Sequence, residues 1–367
     1  MAVRDLALVG TGLIGASVGL AARAAGVRRV LGWDLDPRAR ETALESGAVH
    51  GSCERLEEAL AGAELAVVAV PVAVLAEQVS RTLQASAETC TVTDVGSIKG
   101  LVCERVIDRE RFIGGHPIAG SEARGAEHAS AELFRGATWF LTPVAETRPE
   151  RYRRVMGFVS AIGAVPVAVE PRAHDRLVAL ISHLPHALAN LLLNHAGAIL
   201  VDGHEPLNVA GGSLRDMTRV AGANARIWVD IFMENAEELQ AALGEHRRRV
   251  EELESALAQR DAGYLARWIG EAAAKRRTLL ETAYPDAGAL FRLEVHVPDR
   301  PGVFAGITQA LAIEGINIED LEVHHVSPER GGTLGILVTG EESAQQASDL
   351  LEAQGYSVIT GPAFPEG

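Results

Sequence analysis

Between Asp5 and about Val169 the chain alternates short, continuously apolar runs with amphipathic stretches, and this alternation limits the fold more than any other feature. LALVG, RVLGWD, LAVVAVP and TVTDVG are apolar at successive positions. Helical-period segments follow them, reaching Ala25 and starting at Pro37, at Val72 and at Ser97, the last ending at Arg105. Strands buried on both faces and separated by helices make a parallel sheet covered on both sides. RFIGG, ATWFLTP and VPVAVE supply further strands, with a helix from Pro149 to Ile162 between the last two. Residues 1–170 are therefore expected to form an α/β domain with a doubly wound sheet.

From Arg172 the strand signals stop. ARIWVDIFMENAEELQAALGEHRRRVEELESALA repeats apolar residues every three and four positions, which predicts one helix of over 30 residues. An all-α domain over 171–284 is expected, and so long a helix needs a large surface to pack on, which points to a homodimer. After AYPDAGAL come a strand (FRLEVHVP), a helix (PGVFAGITQALAIEG), two strands (INIEDLEVHHV, TLGILVTG), a helix (SAQQASDLLEAQG) and a strand (YSVITG). That βαββαβ order over 290–363 is the ferredoxin-like arrangement.

The totals exclude several classes of function. A chain of 367 residues exceeds what one core organises, and 47% hydrophobic with 23% charged residues is an ordinary globular balance. Lys and Arg number 34 against 49 Asp and Glu, a net charge of −15. His246-Arg247-Arg248-Arg249 sits in a helical run and reads as a solvated face, so nucleic acid is not an expected partner. Cys53, Cys90 and Cys103 lack zinc spacing and cannot all pair, which fits a reducing cytoplasm. The apolar run at the N-terminus is soon broken by glycine, and no stretch approaches ~20 uninterrupted apolar residues, so neither export nor membrane insertion is expected.

Gly10-Thr11-Gly12-Leu13-Ile14-Gly15 follows the strand LALV and opens a helix near Leu13. In such a fingerprint the first glycine makes the turn, the second admits a pyrophosphate to backbone amides, and the third seats the helix on the sheet. Asp34 ends the second strand 19 residues after Gly15, where a carboxylate accepts from ribose hydroxyls and repels a 2′-phosphate. The expected cofactor is NAD, although Arg38 and Arg40 nearby leave NADP open.

GGHPIAGSEARGAEHA, Gly114 to Ala129, puts His116 after two glycines and before a proline, in a segment read as a loop in which neither helix nor strand persists. GTGLIGAS, TDVGSIK, GGHPIAGSE and the later ISHLPHALAN and GGSLRDMTRVAGANARIW occur in that order. Together they make the chain from Asp5 to about Glu281 resemble the prephenate dehydrogenase family, and the βαββαβ segment resembles an ACT domain. The resemblance implies a Rossmann-like domain and NAD-dependent oxidative decarboxylation of prephenate to 4-hydroxyphenylpyruvate, a step of tyrosine biosynthesis.

It also implies roles for residues. His116 is the catalytic imidazole, and a neutral ring titrating near working pH suits acceptance of the substrate hydroxyl's hydrogen bond. Ser97 is the serine that meets this histidine and the substrate; without the resemblance it reads as a helix N-cap. Arg219 binds a substrate carboxylate through its bidentate fork, with Asp216 three residues earlier to orient it. His186 helps bind substrate, while His183 either does the same or is structural. Metal is not expected, because His174, nine residues before His183, falls about half a turn round a regular helix. Ser121 and Glu122 line the pocket entrance, and Trp228 lies near the substrate ring unless it is core.

In the ACT segment, Asp299 and Gly302 at the first strand-to-helix turn and Asn317 are candidates for holding an L-tyrosine effector. The other reading is a domain that only dimerises. An arogenate or dual-substrate dehydrogenase is an alternative that the sequence leaves open. A catalytically silent amino-acid sensor is another, opposed by the joint presence of Ser97, His116 and Arg219.

Overall fold

The computed structural model describes residues 3–119, 125–283, 289–327 and 331–363. The chain divides into two compact units, Met1–Asn208 with Met217–His246, and Val209–Asp216 with Arg247–Gly367. In the first unit eight strands form one sheet: β1 (Asp5–Val9), β2 (Arg29–Trp33), β3 (Gly51–Cys53), β4 (Leu65–Val68), β5 (Thr91–Asp94), β6 (Phe112–Pro117), β7 (Thr138–Thr142) and β8 (Val165–Ala168). Their order is 3-2-1-4-5-6-7-8, with all neighbours parallel except β6 and β7. The chain reverses direction across the sheet between β1 and β4, and a doubly wound sheet opens its ligand crevice at the carboxyl ends of the strands there.

Helices α1 (Leu13–Ala24), α2 (Pro37–Glu45), α3 (Leu56–Leu60), α4 (Val72–Ala85), α5 (Gly100–Arg105) and α6 (Pro149–Ala161) connect the strands. Alternation along β1 divides the core: Leu6 and Leu8 join one buried cluster with α1 and α6, whereas Ala7 and Val9 join another with α3 and α4. The period-2 side-chain geometry of a strand requires this when both faces are covered. The three-residue strand β3 was not expected. Helix α5 starts at Gly100 rather than Ser97, because the amides that open it are capped from elsewhere in the fold.

His116 is not on a loop. It lies in β6, opposite Phe140 of β7 in an antiparallel pair. The glycines before it serve close packing within the sheet: a Cβ at Gly115 would lie 2.6 Å from the Asp94 carbonyl oxygen. Pro117 is tolerated as the last residue of the strand, and the next amide, that of Ile118, donates to Thr138 O at 2.8 Å.

Beyond β8 the unit is helical, with α7 (Pro171–Val178) and α8 (Leu184–Gly197) joined through a π-helical turn at Ala179–His183. This run, Pro171–Gly197, is long and apolar enough to cross a membrane by length and composition, with a mean hydropathy of 1.4. It also carries His174, Asp175, His183 and His186, all buried in the unit. Short α9 (Gly212–Thr218), most of which belongs to the second unit, and a 3-10 turn at Arg219–Gly222 precede α10 (Ala225–Glu234) and α11 (Ala236–Gln259); α11 runs from the first unit into the second, which also holds α12 (Ala262–Ala283). The expected single helix of over 30 residues is thus broken. Asn235 leaves helical geometry at φ −115° because its buried amide is committed to His183 and to the Asp175 carbonyl.

In the second unit, β9 (Leu290–Val297), α13 (Val303–Ile313), β10 (Asp320–Ser327), β11 (Gly331–Thr339), α14 (Glu341–Ala353) and β12 (Ser357–Pro362) follow the expected βαββαβ order. The sheet is antiparallel in the order β10-β11-β9-β12. Leu293, Val295 and Val297 of β9 pack with Ile307 and Leu311 of α13 and Leu351 of α14.

Candidate active site

The nucleotide end of the crevice follows from three glycines. Gly10 sits at φ +97°, and a Cβ on Gly15 would run into the Gly10 carbonyl oxygen, so turn and helix close tightly on each other. A Cβ on Gly12 would meet nothing within 4 Å. That open cradle at the N-terminus of α1, bounded by Thr11, Leu13 and Ile14, fits a pyrophosphate, for which helical amides are natural donors. Asp34 stands just after β2, and its carboxylate accepts from Thr11 N at 2.7 Å and Asp36 N at 2.9 Å. These bonds fix a carboxylate beside the cradle, as a ribose site needs.

At the ends of β5 and β6, Asp94 and Lys99 form an ion pair with both side chains at 0% exposure. Asp94 Oδ1 also accepts from Gly115 N at 3.0 Å, and Oδ2 from Gly96 N at 2.8 Å. Removing one partner of such a pair leaves an uncompensated buried charge, which costs about 3–5 kcal/mol. The pair therefore clamps the loop holding Ser97 to the strand holding His116. Ser97 is half-buried, and its hydroxyl makes no hydrogen bond among the described residues. The N-cap position of α5 belongs to Lys99.

Half-buried His116 directs Nδ1 at His174 Nε2, 2.9 Å away, and His174 Nδ1 lies 2.8 Å from Asp175 Oδ1. Burial, chiefly, holds the His116 pKa well below the usual 6.5, and His174, Lys99 and His183 reinforce the effect. His183 is buried, accepts from Asn235 Nδ2 at 3.1 Å, and is pulled down to about 4, mainly by burial. His186 stacks flat on Trp228 with ring centroids 3.6 Å apart, and burial lowers its pKa. Its buried Nδ1 has no hydrogen-bond partner among the described residues, an arrangement that a bound polar group would relieve. Trp228 is accordingly half-buried against the histidines rather than a core residue.

The π-turn explains how these side chains converge. In a regular helix His174 and His183 would diverge, but the widened turn resets the rotation, and both act electrostatically on His116. Arg219 is exposed at the start of the 3-10 turn, which packs against α8. Asp216 is exposed in α9, which ends before Arg219, so the two do not share one regular helix. Ser121 and Glu122 lie outside the described residues. In the second unit Asp299 and Gly302 are exposed on the β9–α13 turn, and exposed Asn317 donates from Nδ2 to Glu319 Oε1 at 2.8 Å.

Sequence reasoning missed Asp175 and Asn235 and considered His174 only as a metal ligand. No pattern joins residues 58 apart, as His116 and His174 are.

Three segments of the chain match family models: the nucleotide-binding domain of prephenate dehydrogenase at 18–168, its dimerization domain at 170–271, and an ACT domain at 291–355. "Probable prephenate dehydrogenase NovF" of Streptomyces niveus is 30% identical over 362 residues, covering 95% of this chain and 98% of that protein. The chain belongs to the prephenate dehydrogenase family. Prephenate dehydrogenase of Bacillus subtilis is 29% identical over 368 residues, 95% of each chain. Among solved structures, the A. aeolicus prephenate dehydrogenase in complex with hydroxyphenyl propionate and NAD+ superposes with a TM-score of 0.72. It is 27% identical and covers 76% of this chain and 99% of that one.

The two glycines should separate by experiment. Gly12→Ala, pointing into open space, should leave the melting temperature unchanged while NADH affinity in a fluorescence titration falls on the order of tenfold, about 1.4 kcal/mol. Gly15→Ala should lower both, since its methyl group strikes backbone. Equal NADH affinity in Gly12→Ala and the parent would contradict the cradle.

Proposed function

We propose that this member of the family converts prephenate to 4-hydroxyphenylpyruvate by oxidative decarboxylation. The observation that carries this reading is His116, a buried-edge imidazole kept neutral at the carboxyl end of β6, where the crevice of the sheet brings side chains to a dinucleotide. NAD, when bound, supplies the hydride acceptor. The residues of the chain do the rest. The loop from Gly10 to Gly15 holds the pyrophosphate, and Asp34 holds the ribose and disfavours a 2′-phosphate.

His116 takes the hydroxyl proton as the carbinol carbon becomes carbonyl-like; when the ring carboxylate leaves as CO2, the electron pair of the broken C–C bond moves through the ring to that oxygen, and His116 returns the proton to give the phenol. Ser97 lies on the clamped β5–α5 loop, from which its hydroxyl would share the substrate oxygen. His186, with its unpartnered Nδ1, and Trp228, stacked on it, bound the substrate side, and Arg219 receives a carboxylate. His183, committed to Asn235, supports these groups from behind. Arogenate, which carries an amino group in place of the side-chain ketone, is the competing substrate.

The active species is a homodimer in this reading. Leu180, Ile181 and Leu191 are exposed apolar residues of the helical run that matches the family's dimerization domain. Burial of such a face in a second copy is favourable by roughly 25 cal/mol per Å². The three cysteines are free, and the buried thiols of Cys90 and Cys103 are each pushed up to about 11 by burial, which suits a reducing cytoplasm. In the ACT domain, L-tyrosine is the proposed effector, its carboxylate at the turn of Asp299 and Gly302 and its amino group at Asn317 Oδ1.

Initial rates test this assignment. His116→Ala should lower kcat with prephenate by on the order of 10²–10⁴ while NAD affinity holds, and Arg219→Ala should act chiefly on KM. In the unsubstituted enzyme the acid limb of kcat/KM should fall below pH 6.5, since His116 loses its lone pair only on crossing its depressed pKa. A limb above 6.5, or no NADH formed from prephenate, would defeat the reading. Added L-tyrosine should raise the melting temperature or change the rate of the full chain. If it does neither, the effector assignment fails while the activity stands.

A further inference from the structure

We propose that His174 and Asp175 are positioning residues that hold the His116 imidazole in the tautomer with Nε2 unprotonated. The proposal rests on reading His116 as the acceptor of the substrate's hydroxyl proton, and it explains why one ring nitrogen is always available.

The tautomers follow one another along the hydrogen-bond network. A carboxylate has no proton to donate, so Asp175 only accepts: from Lys99 N at 2.8 Å and His174 Nδ1 at 2.8 Å on Oδ1, and from Gly100 N at 2.7 Å on Oδ2. His174 therefore carries a proton on Nδ1, and a ring with that single proton leaves Nε2 bare as an acceptor. That bare nitrogen lies 2.9 Å from His116 Nδ1, so the His116 proton sits on Nδ1 and points at His174. The lone pair of His116 is left on Nε2, the nitrogen without a hydrogen bond among the described residues.

Packing keeps the network in place. His174 is fully buried, with its ring edge-on to both His116 and Phe140, whose centroids lie 5.1 and 5.4 Å away. Asp175 is 6% exposed and cannot turn without abandoning the first amides of α5. Its approach needs a glycine, since a Cβ at Gly100 would come 2.7 Å from Oδ2. Among the described residues, the charged or titratable groups acting on His116 are His174 from α7, Lys99 from the β5–α5 loop and His183 from the π-turn. Asp175 lies behind His174, and Asp94 is paired with Lys99. Among the described residues, His174 is thus the group hydrogen-bonded to the His116 ring, and it draws the proton to Nδ1.

Three variants test this, each checked by melting temperature and NADH titration. His174→Leu keeps the bulk and removes the acceptor, and should lower kcat with prephenate by on the order of 10- to 100-fold with little change in NAD affinity. His174→Gln, whose Oε1 can stand where Nε2 was and accept from His116, should recover most of that loss. Asp175→Asn can present an amide N–H to His174 Nδ1, reverse that ring's tautomer, and should fall as His174→Leu does. Full kcat in His174→Leu would overturn the proposal. So would a His174→Gln variant as slow as His174→Leu while folded and binding NADH, because packing alone would then explain the loss. If His116→Ala itself keeps full activity, the underlying assignment of His116 fails instead.

Discussion

The carboxylate of Asp175 receives two backbone amides from the start of α5 and the Nδ1 proton of His174, and the geometry of the chemical end of the crevice depends on it. Amides buried at a helix N-terminus need an acceptor, and a donor left unpaired costs about 1–3 kcal/mol. Asp175 satisfies two of them from a different helix and so ties α7 to the loop between β5 and α5. Asp94 does the corresponding work from within the sheet, bonding Gly96 and Gly115 and pairing with Lys99. Two carboxylates thereby fix Ser97 and His116 relative to each other before any ligand arrives. Preorganisation of this kind is where much of an enzyme's rate enhancement originates, since no group has to be oriented during the reaction.

The helical run from α7 to α8 illustrates how an irregularity can serve a site. A regular helix over these residues would turn His174 and His183 away from one another. The π-turn at Ala179–His183 brings both inside, next to His186 and within electrostatic influence of His116. Asn235 accepts the cost of interrupting α10 and α11 because its buried amide serves His183 and Asp175 together. Burial lowers the pKa of His116, His183 and His186, which favours the neutral state in which a ring can accept a hydrogen bond.

Much of this was legible in the sequence, and the rest was not for definable reasons. The strands of the first unit, the glycine cradle, Asp34 and the βαββαβ order of the second unit follow from local periodicity and turn chemistry, which a linear string records. His116 was recognisable from its motif, but its flanking glycines suggested a loop. They are in fact what lets β6 approach β5 and its Asp94 carbonyl, a contact 21 residues away along the chain. The break at Asn235 was hidden because its helical pattern is intact on both sides, and the cause lies in partners 52 and 60 residues distant. His174 and Asp175 look like ordinary polar residues at the start of an amphipathic helix until the fold lays them against β6 and α5.

The account as a whole turns on where one proton sits. Selective ¹⁵N labelling of histidine, with the ring resonances assigned by His116→Gln and His174→Gln spectra, reads this directly at neutral pH in the unsubstituted chain. The prediction is that His116 and His174 are both neutral with the proton on Nδ1, and that the His116 Nε2 resonance is that of an unprotonated nitrogen. A His116 ring protonated on Nε2, or on both nitrogens, would contradict the account.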